Sequence, residues 1–382
     1  MKLKLLINIV DRANYGRLLP LIKKGFNDKR FECLTCFTGT TLLEEYGLLV
    51  EEVILDGIIP DYKIFTEYGH RSHSSMIKTI SKTIEKMYEL YEKINPNAVI
   101  VIGDRYEALG CAIAASYSNK FLIHLQGGER SSSIDETTRH VITKMAHLHF
   151  PSTNKAAEII SKLGEKKENI ITSGCPVGDF ILSSESNLRS IFPLKSDANK
   201  AIKYQDLEKG FILICLHPIT SGIEHSDKIV ESIIKVINEI NLPIVWLKPN
   251  ADPGANKILH KLNNVKNIHL ITNVLPNKFQ VLLKNCSVAL GNSSSFVRDS
   301  SFSGTPVILL GKRQKNREVS ENVLTIENPN QENIRYAIKT QLKKIRYNPS
   351  KIYGDGNASS LILDSTYEFL KKNNSTQKYL AY

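Results

Sequence analysis

Two series of short, unbroken apolar runs, each run followed by a helix-length amphipathic segment, constrain this chain most. Runs such as AVIVI (Ala98–Ile102) and FILICL (Phe211–Leu216) lack the polar alternation of a half-exposed strand. They suit strands covered on both faces, as in a parallel sheet. The first series predicts strands at Lys4–Val10, Phe31–Phe37, Ala98–Ile102, Phe121–Leu125, His147–Pro151 and Ile170–Thr172. The second predicts strands at Phe211–Leu216, Pro243–Leu247, Ile268–Ile271, Ser287–Leu290 and Pro306–Leu310. The longest intervening segment, Ser74–Ile94, places Met76, Ile77, Ile80, Ile84, Met87 and Tyr91 at helical spacing. Strand–helix alternation of this kind implies parallel sheets with right-handed crossovers, and two series imply two of them. The expected fold class is therefore α/β, with two Rossmann-like domains facing across a cleft.

The stretch Leu182–Leu207 is rich in Ser, Asn, Asp and Lys and separates the series. It sets the expected division at 1–185 and 186–372, with the last helix packing back on the first domain and a polar, frayed tail at 373–382. A length of 382 residues fits two domains better than one core. The net charge of +11 comes from 50 cations, most of them dispersed Lys. No basic run tracks a phosphate backbone, so no nucleic-acid partner is expected. MKLKLLINIV reads as a buried first strand and not as a secretory leader, and no apolar run approaches membrane-spanning length, so no membrane partner and a cytoplasmic setting are expected. Of six cysteines only Cys33 and Cys36 are close, and three positions apart on a strand they point to opposite faces. They are read as reduced and structural, without metal.

Chemistry gathers in the loops after the strands. Asp11-Arg12-Ala13-Asn14-Tyr15-Gly16-Arg17 opens a helix after the first strand, and a helix start flanked by Arg12 and Arg17 suits an anion. Gly103-Asp104 follows the third strand, where Asp104 fits either a helix cap or a site carboxylate. Gln126-Gly127-Gly128-Glu129 follows the fourth, and Asp135, Glu136 and Arg139 come next. Carboxylates on one rim beside cations point to proton transfer next to a bound anion. In the second half, His217 follows FILICL, Asn250 and Asp252 follow IVWLK, and Ser293-Ser294-Ser295 follow the next strand, with Asp299 beyond. Arg313, Gln314 and Arg317 follow the last. Hydroxyl residues at a helix start suit phosphate groups. Neither GxGxxG nor a P-loop is present, so no dinucleotide or ATP cofactor is expected.

In order, the blocks RANYG, GDRYEAL, HLQGGE, SIDETTRHVITKMAHLHF, SGCPVGD, HPIT, KPNADPG, GNSSS and SGTPVILLGKRQKNRE resemble the UDP-N-acetylglucosamine 2-epimerase family, most closely its hydrolysing branch. The resemblance spans about residues 3 to 370. It implies a GT-B type fold, a UDP-linked 2-acetamido sugar as substrate, UDP as a product, a homodimer, and neither metal nor other cofactor. The implied reaction eliminates UDP to a 2-acetamidoglycal and then adds water, giving the free 2-epimer. The implied catalytic set is Asp104, Glu129, Asp135, Glu136 and His217, with His217 on the diphosphate. Substrate binding falls to Arg12, Arg17, Gln126, Arg139, Asn250, Asp252, Ser293, Ser294, Ser295, Asp299, Arg313, Gln314 and Arg317, with Asp299 on the ribose. The non-hydrolysing branch, a GT-B glycosyltransferase and a non-catalytic nucleotide-sugar binder remain the alternatives.

Several positions depart from that pattern. Asp11 stands where relatives have a small residue, and beside a diphosphate it needs Arg12 or Arg17 as a partner. Gln126 replaces a Glu or His, RSSS follows Glu129, and Asp299 replaces a Glu. These changes point to an altered sugar substrate.

Overall fold

The computed structural model describes residues 2–67, 72–132, 134–184, 186–197, 201–218, 223–249, 252, 254–263, 265 and 268–382. They form two compact units. The first comprises Met1–Arg130, Ile134–Leu182 and Tyr353–Tyr382, and the second Ser131–Ser133 and Ser183–Ile352.

In the first unit the strands are β1 (Leu3–Ile9), β2 (Phe31–Thr38), β3 (Tyr62–Ile64), β4 (Ala98–Ile102), β5 (Phe121–Leu125) and β6 (Leu148–Phe150), in the spatial order β3-β2-β1-β4-β5-β6. Every pairing is parallel. Successive residues of β1 and β4 point to opposite faces. Leu5, Ile7, Ile9, Ala98, Ile100 and Ile102 pack under the helices Arg12–Phe26 and Ala358–Lys372, whereas Leu6, Val99 and Val101 pack under His73–Ile94 and Tyr106–Tyr117. Each fully buried Ile or Leu contributes roughly 1.5–3 kcal/mol, which is why both runs are apolar throughout. Cys33 and Cys36 fall on these two different faces, and none of the six cysteines, all of them described, is in a disulfide.

The second unit contains a short antiparallel pair, β7 (Leu194–Lys195) and β8 (Ala201–Ile202), and a sheet of β9 (Ile212–Cys215), β10 (Ile244–Leu247), β11 (Ile268–Ile271), β12 (Val288–Gly291), β13 (Val307–Leu310) and β14 (Val323–Ile326). Its order is β11-β10-β9-β12-β13-β14, again all parallel.

Ile170–Thr172 is no strand; Ile170 makes one isolated bridge with His149. β3 and β14 escape the apolar-run reading because they are short sheet edges with half-exposed side chains. The first unit also reclaims the end of the chain. Asp179, in SGCPVGD, accepts from Ala358 N (2.8 Å) and Ser359 N (2.7 Å), capping the final helix. Residues 353–372 thus leave the expected second domain.

The polar tail does not fray. His147 Nε2 donates to Thr376 O (2.9 Å), Ala381 N donates to Gly164 O (3.0 Å), and Lys378 Nζ reaches Glu165 Oε2 (2.6 Å). Glu165 also meets Lys144 Nζ (2.7 Å) and His149 Nε2 (3.1 Å). Burial pushes the Glu165 carboxyl up, but hydrogen bonds from His149, Lys144 and Lys378 outweigh it and hold it near 2. A carboxyl held low stabilises the fold fully above its ordinary value near 4.5, and that stability is lost as pH falls toward 2. Glu165→Gln is expected to cost on the order of 3 kcal/mol in urea unfolding at neutral pH and to flatten the loss of stability between about pH 5 and pH 2.

Candidate active site

Where a doubly wound sheet reverses its strand order, the loops leaving adjacent strands go to opposite faces and open a crevice. In the first unit that point lies between β1 and β4, and it carries Asp11-Arg12 and Gly103-Asp104-Arg105.

Asp104 does not cap a helix; Arg105 is the N-cap of Tyr106–Tyr117. Instead Asp104 pairs with Arg139, on the helix Ile134–Met145. Arg139 is 1% exposed, and its Nη1 donates to Glu129 O (2.6 Å). Burial opposes the Arg139 charge, but Asp104, Glu129 and Asp135 outweigh it and hold the guanidinium protonated. Asp104, Glu129, Asp135 and Arg139 are thus one electrostatic group. Glu136 lies one turn from His140, with 3.6 Å between Oε1 and Nε2.

His124 sets the height of this rim from within β5. Gly103 O only accepts, so His124 Nε2 donates to it (2.8 Å), and Nδ1 accepts from Thr143 Oγ1 (3.1 Å). Burial lowers the imidazole to about 3, so it stays neutral. In HLQGGE the second glycine is obligatory: at φ +75° a Cβ on Gly128 would lie 2.2 Å from Ala156 O.

Asp11 is the N-cap of Arg12–Phe26, accepting from Asn14 N (2.6 Å). Its charged neighbour is Arg105, with Nε 3.8 Å from Asp11 Oδ2, and not the expected Arg12 or Arg17. Arg17 turns inward, where Nε donates to Ala13 O (2.9 Å) and Nη1 donates to Gln126 Oε1 (2.6 Å). Gln126 is 1% exposed, takes the left-handed conformation (φ 62°) and donates to Cys175 Sγ (2.8 Å). Arg12 is the first residue of its helix and is half-buried.

In the second unit the reversal lies between β9 and β12. Asn292 Oδ1 accepts from His217 N (2.7 Å) and Asn292 Nδ2 donates to His217 O (2.8 Å), so one side chain closes a ring with one backbone residue. Asn292 O accepts from Arg313 Nη1 and from Gln314 Nε2, each at 3.1 Å. Ser293 is the N-cap of Ser294–Ser303, accepting from Ser295 N (3.4 Å). Gly291, at φ 149°, allows β12 to approach Cys215 O, which a Cβ would meet at 2.0 Å. His217 Nε2 lies 3.4 Å from Cys215 Sγ. Asp299 lies deeper than a ribose contact suggests: it is 3% exposed and accepts from Gln280 Nε2 (2.7 Å). Arg317 and Asp252 are buried, and Asn250 lies outside the described residues.

Sequence reading passed over His124, which lies within β5, and Asn292, Arg105 and Glu107, which fall in loops or a helix start already marked. Among the described residues no group of three or more His, Cys, Asp or Glu is placed to hold a metal, and no helix is long and apolar enough to cross a membrane.

The family described as UDP-N-acetylglucosamine 2-epimerase matches residues 23–366. The chain belongs to the UDP-N-acetylglucosamine 2-epimerase family. A Legionella pneumophila relative named UDP-N,N'-diacetylbacillosamine 2-epimerase (hydrolyzing) is 31% identical over 94% of this chain and 93% of its own. A Campylobacter jejuni relative, GDP/UDP-N,N'-diacetylbacillosamine 2-epimerase (hydrolyzing), is also 31% identical, over 85% of each chain. The solved UDP-GlcNAc 2-epimerase of Neisseria meningitidis bound to UDP-GlcNAc has a TM-score of 0.77 at 19% identity, covering 98% of this chain and 100% of that one. At that identity the likeness speaks for the fold, the two-domain GT-B type. In this family member Asn292 ties the loops after β9, β12 and β13 together. Asn292→Ala leaves a buried N–H and C=O of His217 without their partner. It is expected to lower stability by about 2–3 kcal/mol in urea unfolding.

Proposed function

We propose that this chain is a hydrolysing UDP-sugar 2-epimerase, with the first unit handling the sugar and its protons and the second holding UDP. The anomeric C–O bond breaks, the C2 proton is lost and UDP departs, leaving a 2-acetamidoglycal. Water then returns hydroxyl to C1 and a proton to the opposite face of C2, releasing the free 2-epimer. The C2 proton is weakly acidic, so C–O cleavage runs ahead and C1 gains cationic character. Carboxylates suit that state, and a proton shuttle needs them within reach.

The observation that carries the reading is the Asp104–Arg139–Glu129 group at the β1/β4 reversal, acids and a fixed cation on one rim. Asp104, Glu129, Asp135 and Glu136 are assigned the acid/base and cation-stabilising work. His217, Ser293, Ser294, Ser295, Arg313 and Gln314 are assigned to the nucleotide, where the N-terminus of Ser294–Ser303 points the positive end of its dipole toward phosphate oxygens. Arg12 complements the leaving diphosphate. The two relatives named for diacetylbacillosamine support a 4-acetamido-6-deoxy sugar over UDP-N-acetylglucosamine, as do the departures at 126 and 130–133. A cytoplasmic homodimer supplying a nonulosonate (sialic or legionaminic acid type) or capsule precursor completes the reading, on the strength of the family resemblance.

Incubation with a panel of UDP-2-acetamido sugars in heavy water, followed by NMR, tests it. Free UDP and a free 2-epimer deuterated at C2 are expected, most rapidly from the 4-acetamido-6-deoxy substrate. Return of an intact UDP-linked epimer would place the chain in the non-hydrolysing branch. Glu129→Gln is expected to lower kcat by about a hundredfold or more. His217→Ala should chiefly weaken UDP binding, measured by calorimetry.

A further inference from the structure

The helix Ile134–Met145 carries Asp135, Glu136 and Arg139 in its first two turns, and its last turn is held by a segment that none of these roles uses. A helix leaves its final carbonyls without partners of its own. Here Ala146 N donates to Ile142 O (3.0 Å) and Thr143 O (3.2 Å). Lys378 Nζ donates to the next carbonyl, Lys144 O (2.5 Å), lies 3.5 Å from Thr143 O and reaches Glu165 Oε2 (2.6 Å). A cation at this end also meets the negative pole of the helix dipole. The segment around Lys378 is fixed on either side, because Thr376 O accepts from His147 Nε2 (2.9 Å) and Ala381 N donates to Gly164 O (3.0 Å). Its rings are exposed, Tyr379 by 67% and Tyr382 by 88%, so polar contacts hold it.

Two routes lead from the last turn to Asp104. The first runs along the helix: Arg139 stands five residues before Lys144, about 7.5 Å along the axis, and pairs with Asp104. The second runs through Thr143, whose Oγ1 donates to His124 Nδ1 (3.1 Å). His124 Nε2 in turn donates to Gly103 O (2.8 Å), one residue before Asp104. Thr143 and His124 are fully buried, so a slip of the last turn has no free space to absorb it and reaches Asp104 by both routes.

We propose that Lys378 is a positioning residue: from the tail it pins the last turn of Ile134–Met145 and so sets where Arg139 and Asp104 stand on the rim. The consequence for turnover rests on the epimerase reading; the pinning of the helix does not. Removing the ammonium does not strand Glu165, which keeps Lys144 Nζ (2.7 Å) and His149 Nε2 (3.1 Å). The first unit therefore stays folded without it, and what is lost is the donor at the helix end.

Hydrogen exchange of the full chain tests the pinning, read by mass spectrometry over residues 140–147 and by NMR at the Arg139 Nε–H. Lys378→Met keeps most of the apolar stem without the charge. In it both sites should exchange about tenfold faster or more. Lys378→Arg keeps the charge with a different donor geometry and should restore about half of the protection. Tyr379→Ala should change neither site. Unchanged exchange in Lys378→Met, or an equal rise in Tyr379→Ala, overturns the proposal. In turnover, measured well below the unfolding temperature, Lys378→Met should lower kcat about tenfold and leave KM within about twofold, with partial recovery in Lys378→Arg. A residue that served stability alone would leave kcat unmoved there, so unchanged kcat with faster exchange overturns the positioning role. Absence of turnover by the unmodified chain on every UDP-2-acetamido sugar would refute the epimerase reading and leave the exchange result to decide the pinning.

Discussion

A guanidinium that is 1% exposed, that of Arg139, must have anions and carbonyls at bonding distance or its burial would cost several kcal/mol. Asp104 and the carbonyl of Glu129 meet that requirement, so the loops after β4 and β5 and the helix Ile134–Met145 have little freedom to move separately. Two more buried guanidiniums repeat the device. Arg105 ties the loop after β4 to the Asp11 cap after β1, and Arg17 ties the helix after β1 to Gln126 after β5. The rim of the first unit is cross-braced by three cations, each crossing from one strand end to another. That suits a site whose proposed chemistry demands fixed carboxylates.

The second rim is braced around one neutral side chain and carries no carboxylate in that bracing. Asn292 pairs with both backbone groups of His217 and offers its own carbonyl to Arg313 and Gln314. A net negative cluster here would oppose the diphosphate proposed for it, whereas amides, hydroxyls and a helix start present donors without added negative charge. The contrast between the rims is a difference in what each must tolerate. The first keeps its own charges in place, and the second is the one proposed to receive charge from outside.

The sheets were legible because burial on both faces forces unbroken apolar runs, as in AVIVI and FILICL. β3 and β14 were not, since a half-exposed edge of three or four residues has no such demand. Asp104, Glu129 and Arg139 could be named together because the ends of β4 and β5, neighbours in one parallel sheet, share a rim. Arg105 as the partner of Asp11 was not legible: the pairing crosses from β1 to β4, nearly a hundred residues along the chain. Glu107 looks in sequence like any acidic residue in a helix's first turn, and only the fold shows that it is sealed from water with both oxygens on Arg105. The tail misled by composition, because its lysine is held by a buried carboxylate rather than by apolar burial.

Gln126 shows how a departure from the family pattern becomes intelligible from its contacts. A glutamate there would accept from Arg17, but it would offer no N–H to Cys175 Sγ and would cancel the Arg17 charge. The amide does both jobs at once, accepting on one side and donating on the other. It does so in a left-handed backbone conformation that costs a non-glycine residue about 1 kcal/mol, so the turn is held by its surroundings and not by local preference. A buried amide in that setting is a bracket between three loops, with no proton to give or take at neutral pH. If relatives use an acid or base at this position, its work here falls to the carboxylates on the same rim. Of those, Asp104 and Glu129 are the two that Arg139 already holds in register.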